Sequence, residues 1–220
     1  MAIRLHSGGR FRTWLGARFG GDFELGDRVY RRLVHCLGAF AVVYYVVPTG
    51  FFVVLPKEYV LLLALAAVVV LEVLRHVRGI QLPTMREYEV HRVASYVFYS
   101  AALVAAILFF PAPVGGAVIL GTALIDPLAG ELRNSRDLNA AYPVLPGLAY
   151  VGLATFAFLW LGSWAWIPAF GLAALTAGIA LAVERPKMAW VDDDLWMTIV
   201  PAIVLTIVIR VWPALPYWMR

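Results

Sequence analysis

The chain has 220 residues, of which 62% are apolar, and it carries a formal net charge of +4. Soluble domains are only about 45–50% apolar, so one core cannot bury these side chains and lipid must solvate the remainder. The basic residues lie at the ends of the apolar runs, where they orient a membrane protein, so their charge gives no support for nucleic-acid binding. Cys36 is the only cysteine, which excludes an internal disulfide.

Apolar runs follow one another along the chain at the length of membrane spans. Backbone groups in hydrocarbon must be hydrogen-bonded within their own segment, and a helical span needs about 17–25 residues. We therefore predict an all-α, polytopic integral membrane bundle of about seven transmembrane helices. It would comprise a basic, partly amphipathic cytoplasmic segment, residues 1–29, and a transmembrane domain, residues 30–220. The runs cover residues 33–55, 59–74, 93–110, 114–132, 147–161, 164–183 and 195–212.

The charges on the connecting segments predict which side of the membrane each end occupies. Basic residues cluster before the first run, between the second and third, and after the fourth and sixth, whereas the other connections carry only Lys57. Because basic loops stay in the cytoplasm, we expect a cytoplasmic N-terminus and a C-terminus outside. All acidic residues except Glu58 share the cytoplasmic half. Acidic residues contribute little to orientation, so we expect a functional site that uses carboxylates on this face.

Asp126 lies in the fourth run and is followed by Pro127. A charge at the centre of a span costs on the order of 2.5–3.5 kcal/mol, so its presence indicates a use or a shallow position. Asp-Pro is typical of an N-cap followed by proline at the first helical position, which predicts a break in the fourth span. The exposed helix-terminal N–H groups would suit a phosphate, and the carboxylate would suit its metal ion. A purely structural cap is the alternative.

A second acidic segment connects the sixth and seventh runs, with Glu184 at its start and Asp192, Asp193 and Asp194 at its end. Three adjacent carboxylates repel one another unless a cation or a basic partner offsets their charge. Magnesium takes oxygen ligands, commonly one or two carboxylates together with phosphates and water. The segment is therefore a candidate metal site, and a solvated loop in which Asp194 caps the last helix is the alternative.

Two further groups place basic residues and a histidine at one-turn spacing, which puts them on one helix face. They are candidates for contacting phosphate or for accepting a proton. Anchoring by the positive-inside rule is the alternative for the first group, and an ion pair at a helix end is the alternative for the second. The groups are Arg31, Arg32 and His35 at the start of the first run, and Glu72, Arg75 and His76 at the end of the second.

Taken in order, these residues resemble the CTP-dependent lipid-alcohol kinase family, which includes dolichol kinase and phytol kinase. The family's opening basic pair and histidine, its Gly-Asp-x-x-Ala block and its closing Glu…Asp-Asp-Asn-Leu…Pro block each have a counterpart. Glycine is usual where Ile125 and Arg133 stand, and the loop at residues 142–148 keeps only Gly147 of the family's Glu-Gly-Ser. The counterparts are Arg31-Arg32-Leu33-Val34-His35, Asp126-Pro127-Leu128-Ala129, and Glu184 with Asp192-Asp193-Asp194-Leu195 and Pro201.

The resemblance implies a membrane kinase that transfers a phosphoryl group from CTP, with Mg²⁺, to a long-chain isoprenoid alcohol such as polyprenol, dolichol, phytol or geranylgeraniol. We expect the lipid tail to enter from the bilayer, beside small residues that leave room next to a helix. The expected catalytic residues are Asp126, Asp193 and His35, and the expected metal ligands are Asp126, Asp192, Asp193 and Glu184. The expected nucleotide-binding residues are Arg31, Arg32, Arg75 and Arg133, and the expected lipid-binding residues are Gly115, Gly116 and Ala129.

Other functions stay open at this point. Asp126, Ala129 and Glu131 are also similar to the Asp-x-x-Ala-x-Glu block of the phytyl-phosphate kinase family, so a prenyl-phosphate kinase is one alternative. A cytidylyltransferase-like lipid enzyme is a second alternative. An inactive binding or scaffold protein is another. A transporter would also carry ionisable residues in its spans, but it should place them near the midplane rather than at one face.

Overall fold

The computed structural model describes residues 29, 32–48, 55–79, 89, 92–135, 138–184 and 192–211. Within these residues the protein is all-α, and it contains seven helices of more than ten residues and no strand. This confirms the predicted fold class. The helices are α1 (Arg32–Tyr45), α2 (Lys57–Arg78), α3 (Ser95–Phe109), α4 (Ala112–Asn134), α5 (Val144–Gly162), α6 (Trp166–Glu184) and α7 (Asp193–Val211). The second half of α1, Gly38–Tyr45, is a 3-10 helix, and a short 3-10 turn, Asn139–Ala141, precedes α5.

Five of the helices, namely α2, α4, α5, α6 and α7, are long and apolar enough to cross a membrane, and α1 and α3 are shorter apolar helices. Their outward side chains are apolar as well, since Val77 and Ile167 are each 80% exposed. Such surfaces match hydrocarbon rather than water. The predicted multi-pass membrane protein is therefore confirmed, and the side on which each terminus lies stays a prediction.

Helix α4 is the centre of the bundle and packs against α1, α3, α5 and α7. Its residues Val114, Ala117, Val118 and Ile119 are fully buried. Glycine allows close approach at one further position, because a Cβ on Gly121 would overlap the ring of Tyr150 from α5. Helix α5 packs against α6, α6 packs against α7, and α7 packs against α4, so these four helices enclose the core.

Helix α2 lies at the edge of the bundle and packs against α3. Its first turn is tied to the end of α1, because the Lys57 ammonium donates to the carbonyl oxygens of Tyr44 and Val47 at 3.1 and 3.2 Å. The Tyr44 hydroxyl in turn donates to Glu58 at 3.0 Å. These contacts join α1 and α2 at the end of the bundle opposite most of the charged side chains.

Most of the described charged residues lie at the other end of the bundle, which we call the charged end. It combines the first turns of α1, α3, α5 and α7 with the last turns of α2, α4 and α6. Arg32 of α1 pairs with Glu131 of α4, and Arg133 of α4 pairs with Glu184 of α6. Side chains that are far apart in sequence are thus brought together at one end.

The predicted break at Asp126–Pro127 is wrong, because α4 runs without interruption from Ala112 to Asn134 with Pro127 inside it. Proline removes one backbone hydrogen bond and costs about 3 kcal/mol in a helix interior. Transmembrane helices tolerate it where neighbouring helices satisfy and hold the freed backbone. Helix α4 is packed on several sides, which explains why it continues past the proline. Asp126 is consequently not an N-cap.

Candidate active site

His35, Asp126 and Asp194 meet at the charged end, although they come from α1, α4 and α7. Their potential ligand atoms all lie within 4.8 Å of one another. His35 Nε2 is 3.6 Å from Asp194 Oδ1, 3.9 Å from Asp126 Oδ2 and 3.2 Å from the Thr122 carbonyl oxygen. We call these three residues the His35 cluster. It combines two of the three predicted catalytic residues with Asp194.

Tyr99 of α3 holds the His35 ring in place. The two rings are stacked, with centroids 4.1 Å apart and planes 22° from parallel. The Tyr99 hydroxyl also donates to the His35 backbone carbonyl at 2.8 Å. Gly38 makes room for this contact, because a Cβ at Gly38 would overlap the Tyr99 hydroxyl. One tyrosine therefore supports both the ring and the backbone of His35.

A pair of threonines joins α4 to α7 directly beside the two carboxylates. Thr122 precedes Asp126 by four residues, and Thr198 follows Asp194 by four, so each threonine shares a helix face with its aspartate. The Thr198 hydroxyl donates to the Asp194 carbonyl oxygen at 2.8 Å. The Thr122 hydroxyl therefore donates to Thr198 across the 3.0 Å between their oxygens. This pair sets the distance between the helices that carry the two aspartates.

The acidic residues before α7 form a second group, since ligand atoms of Asp192, Asp193 and Asp194 also lie within 4.8 Å of one another. Helix α7 begins at Asp193, and the Asp194 N–H donates to Asp192 Oδ1 at 3.5 Å. Asp192 thus occupies the N-cap position of α7. The alternative interpretation of the sequence, a solvated loop, assigns that position to Asp194. The Asp194 side chain is only 10% exposed and faces His35 instead. Asp194 belongs to both groups.

Glu184 is engaged away from both groups of aspartates. It is 1% exposed, and its Oε1 accepts from Arg133 Nη1 at 2.7 Å. Its Oε2 accepts from the Tyr142 hydroxyl at 3.2 Å. Among the described residues it joins neither candidate metal group. The contact links the ends of α4 and α6 to the residues before α5, and Arg133 keeps a side chain that is 39% exposed.

Arg75 lies in a separate buried cluster between α2 and α3, and it is 2% exposed. Its Nε and Nη2 each donate to Glu72 at 2.7 Å, and Nη2 donates to the Arg92 carbonyl oxygen at 2.7 Å. Glu72 also accepts from the Ala94 N–H at 3.0 Å and the Tyr96 hydroxyl at 2.6 Å. We call Glu72, Arg75 and Tyr96 the Glu72 cluster. It attaches the end of α2 to the start of α3, and a nucleotide-binding role for Arg75 stays a prediction.

The remaining predicted nucleotide-binding residues differ in what the structure describes. Arg32 lies one turn before His35 on α1, and it forms an ion pair with Glu131 of α4. Arg31 lies outside the described residues. Of the predicted phosphate contacts, Arg32 and Arg133 are thus placed at the charged end by ion pairs to α4 and α6.

The three predicted lipid-binding residues are buried in helix contacts. A Cβ on Gly115 would overlap the Tyr45 hydroxyl, and a Cβ on Gly116 would overlap Leu161. Ala129 is fully buried. Small residues let helices approach closely, and side chains of the protein occupy the space beside the two glycines. A lipid-binding role for these positions stays a prediction.

Some residues of the site were not predicted from sequence. Thr122 and Thr198 had a usable signal, because each lies one turn from an aspartate on the same helix face. Tyr99 had none, since an aromatic residue in an apolar helix is most often part of the packing. The sequence alone could not show that Asp194 rather than Asp193 faces His35. Successive helix residues point about 100° apart, so the answer depends on where α7 starts.

The donor set of the His35 cluster fits a divalent metal ion. One imidazole nitrogen and two carboxylate oxygens converge, and the 3.6 and 3.9 Å separations from Nε2 are within reach of one ion. Two ligands with metal bonds of about 2.0–2.2 Å can lie up to about 4.0–4.4 Å apart. A cation there would offset the two neighbouring negative charges. Asp126 and Asp194 could hold such an ion, with Asp192 and Asp193 beside them.

Comparison of the chain with protein-family models, with curated proteins and with solved structures finds no match.

Proposed function

We propose that this protein is a membrane-embedded kinase that transfers the terminal phosphoryl group of CTP to the hydroxyl of a long-chain isoprenoid alcohol. The observation that carries the proposal is the convergence of His35, Asp126 and Asp194 at the charged end of an apolar bundle. Carboxylates that suit a metal–nucleotide complex thereby lie at one end of helices whose sides match hydrocarbon.

Phosphoryl transfer fits the side chains present, because it needs positioning and charge neutralisation more than covalent chemistry from the protein. Asp126 and Asp194 would hold the Mg²⁺ that accompanies the triphosphate. Arg32 and Arg133 would supply positive charge near the phosphates. The lipid oxygen bonds to the γ-phosphorus while the bond from that phosphorus to the β–γ bridging oxygen breaks and CDP leaves. Asp193, adjacent to Asp194, would accept the proton of the lipid hydroxyl.

The two substrates require a site at the membrane surface. Drawing an isoprenoid tail into water would cost about 0.8 kcal/mol per exposed methylene, so the tail must remain in the bilayer. A nucleotide triphosphate must remain in water. The hydroxyl and the γ-phosphate can therefore meet only at headgroup level, which is where a charged end of a transmembrane bundle lies. A midplane site, as expected for a transporter, would not serve this reaction.

We propose CTP as the donor and an isoprenoid as the acceptor because of the sequence resemblance. We propose metal-dependent transfer to a lipid because of the residues in the site. The experiment separates the two. Purified protein in lipid nanodiscs is incubated with Mg²⁺ and γ-labelled CTP, ATP or GTP. The acceptors are geranylgeraniol, phytol, dolichol, a prenyl monophosphate and diacylglycerol. We expect label in the lipid phase with CTP and an isoprenoid alcohol.

Each other outcome has a distinct meaning. Label on the prenyl monophosphate alone would replace the alcohol with a lipid phosphate as acceptor. Label transferred from ATP alone would identify ATP rather than CTP as the phosphoryl donor. If no acceptor is labelled with any nucleotide, the kinase proposal falls.

A further inference from the structure

We propose that His35 Nε2 is itself a metal ligand, so that His35, Asp126 and Asp194 form one mixed nitrogen–oxygen site for a first-row divalent ion such as Mn²⁺. The inference rests on the proposed function for the use of the ion, but the site is argued from its own geometry. It assigns to His35 a role in holding the ion rather than in accepting the proton of the lipid.

The two carboxylates supply the oxygen ligands of the proposed site. Oxygens of Asp126 and Asp194 both lie within 4.8 Å of the His35 nitrogen, and the two side chains are 28% and 10% exposed. Carboxylate oxygens are common ligands of divalent ions, and an ion bound between them would lower their mutual repulsion.

The position of His35 suits a ligand. Tyr99 stacks on the ring and donates a 2.8 Å hydrogen bond to the His35 backbone carbonyl, so both the ring and its backbone are held with Nε2 facing the two carboxylates. The distances of 3.6 and 3.9 Å exceed those of a good hydrogen bond but suit two ligands that share an ion.

The Thr122 carbonyl oxygen, 3.2 Å from Nε2, identifies the competing state of the same nitrogen. A carbonyl only accepts hydrogen bonds, so this contact requires a proton on Nε2. One nitrogen cannot carry that proton and bind an ion at once. Binding of the ion therefore replaces the Thr122 hydrogen bond and leaves the ring proton on Nδ1.

The nitrogen ligand also determines which ions bind well. Mg²⁺ prefers oxygen ligands in octahedral geometry, whereas imidazole suits first-row transition ions. A site with one imidazole and two carboxylates should therefore bind Mn²⁺ more tightly than Mg²⁺, while still admitting Mg²⁺ at higher concentration. A site made of carboxylates and water alone would discriminate less.

The test uses Mn²⁺ as the probe and does not depend on turnover. Full-length protein in nanodiscs is loaded with Mn²⁺, and pulsed electron paramagnetic resonance measures the nuclear coupling of the bound ion. We expect ¹⁴N modulation typical of directly bound imidazole, replaced by ¹⁵N modulation when histidine is ¹⁵N-labelled. His35→Gln should remove the coupling and weaken Mn²⁺ binding at least tenfold, since loss of even an outer-shell partner costs about 10–100-fold.

Matched variants keep the result interpretable. His76→Gln removes a histidine that contacts Arg75 in the other cluster, and it should leave the nitrogen coupling intact. Asp194→Asn should weaken Mn²⁺ binding, whereas Asp193→Asn should retain the coupling. If His35→Gln fails to fold, the isotope substitution in the wild-type protein still decides whether histidine binds the ion.

The outcomes separate this inference from the proposed function. Bound Mn²⁺ without nitrogen coupling in a protein that phosphorylates lipid would overturn the role of His35 and leave the kinase in place. Nitrogen-coupled Mn²⁺ in a protein that phosphorylates no acceptor would support the site and overturn the kinase. Absence of specific Mn²⁺ binding, or coupling that survives His35→Gln, would overturn the inference.

Discussion

The Glu72 cluster and the His35 cluster both place carboxylates beside a basic side chain, but at different distances. Glu72 accepts hydrogen bonds of 2.6–3.0 Å from Arg75, Tyr96 and the Ala94 N–H. The His35 nitrogen stays 3.6 and 3.9 Å from its two carboxylates. A carboxylate held by donors from its own and the neighbouring helix is a structural anchor, whereas carboxylates from two helices that converge with an imidazole nitrogen at these distances suit a shared cation. The comparison separates a structural ion pair from a candidate site.

The largest expected effect lies in the His35 cluster. Asp194→Asn keeps the shape of the side chain but removes a charge that would bind the ion, so lipid phosphorylation should fall at least about 10³-fold, as when a charge-stabilising group is lost in phosphoryl transfer. Folding, measured by size exclusion and thermal unfolding in detergent, should be retained. Glu58→Gln, at the opposite end beside Tyr44, is the control and should leave transfer unchanged. A fall of less than tenfold would remove Asp194 from the site.

Substitutions in the Glu72 cluster should lower the free energy of unfolding. Arg75→Leu leaves Glu72 as a buried charge without its main partner, and breaking such a pair costs about 3–5 kcal/mol in the free energy of unfolding. Adding Glu72→Met should recover much of that loss, because a buried ion pair replaced by apolar side chains is often neutral. Thermal unfolding of both variants measures the difference. Equal stability of Arg75→Leu and wild type would show that the cluster anchors nothing.

Gly38 tests whether Tyr99 supports the site. Gly38→Ala places a Cβ on the Tyr99 hydroxyl, so Tyr99 must move away from His35, at a cost of about 1–3 kcal/mol typical of overpacking. Transfer should fall as well. Gly171→Ala is the control, since a Cβ there meets nothing within 4 Å, and it should stabilise α6 slightly. Similar behaviour of the two variants would contradict the close contact.

The smallest expected effects compare two hydroxyls on α3. Tyr96→Phe removes the hydrogen bond to Glu72 at 2.6 Å, and Tyr99→Phe removes the one to the His35 carbonyl at 2.8 Å. Each should cost about 0.5–3 kcal/mol of stability, more for Tyr96 because its acceptor is charged. Only Tyr99→Phe should alter Mn²⁺ affinity or transfer. Altered Mn²⁺ affinity in Tyr96→Phe would show that the two clusters are not independent.

The architecture could be predicted from sequence because hydrocarbon imposes length and apolarity on each span. The run at residues 114–132, for example, corresponds closely to α4 (Ala112–Asn134). The break at Pro127 was wrong because packing of the neighbouring helices outweighs the local signal of Asp-Pro. Local rules describe isolated helices, whereas the centre of this bundle is held by tertiary contacts.

The site could be predicted only in part. Asp126 and His35 stood out as charged or ionisable residues in apolar runs, and they do meet. Their partner Asp194 was not singled out from its neighbours, because the start of α7 sets which aspartate faces inward. Spacing of one turn also could not distinguish Glu72 and Arg75 from a phosphate-binding pair, since the partners of Glu72 come from another helix.

The central claim is that the carboxylates at the charged end support phosphoryl transfer to a lipid, and one measurement tests it most directly. Wild-type protein and Asp126→Asn are reconstituted in nanodiscs with geranylgeraniol, Mg²⁺ and γ-labelled CTP, after thermal unfolding has shown that both are folded. The predicted result is labelled lipid phosphate from the wild type and none above background from the variant. Equal labelling by the two proteins, or none by the wild type with any nucleotide, would contradict it.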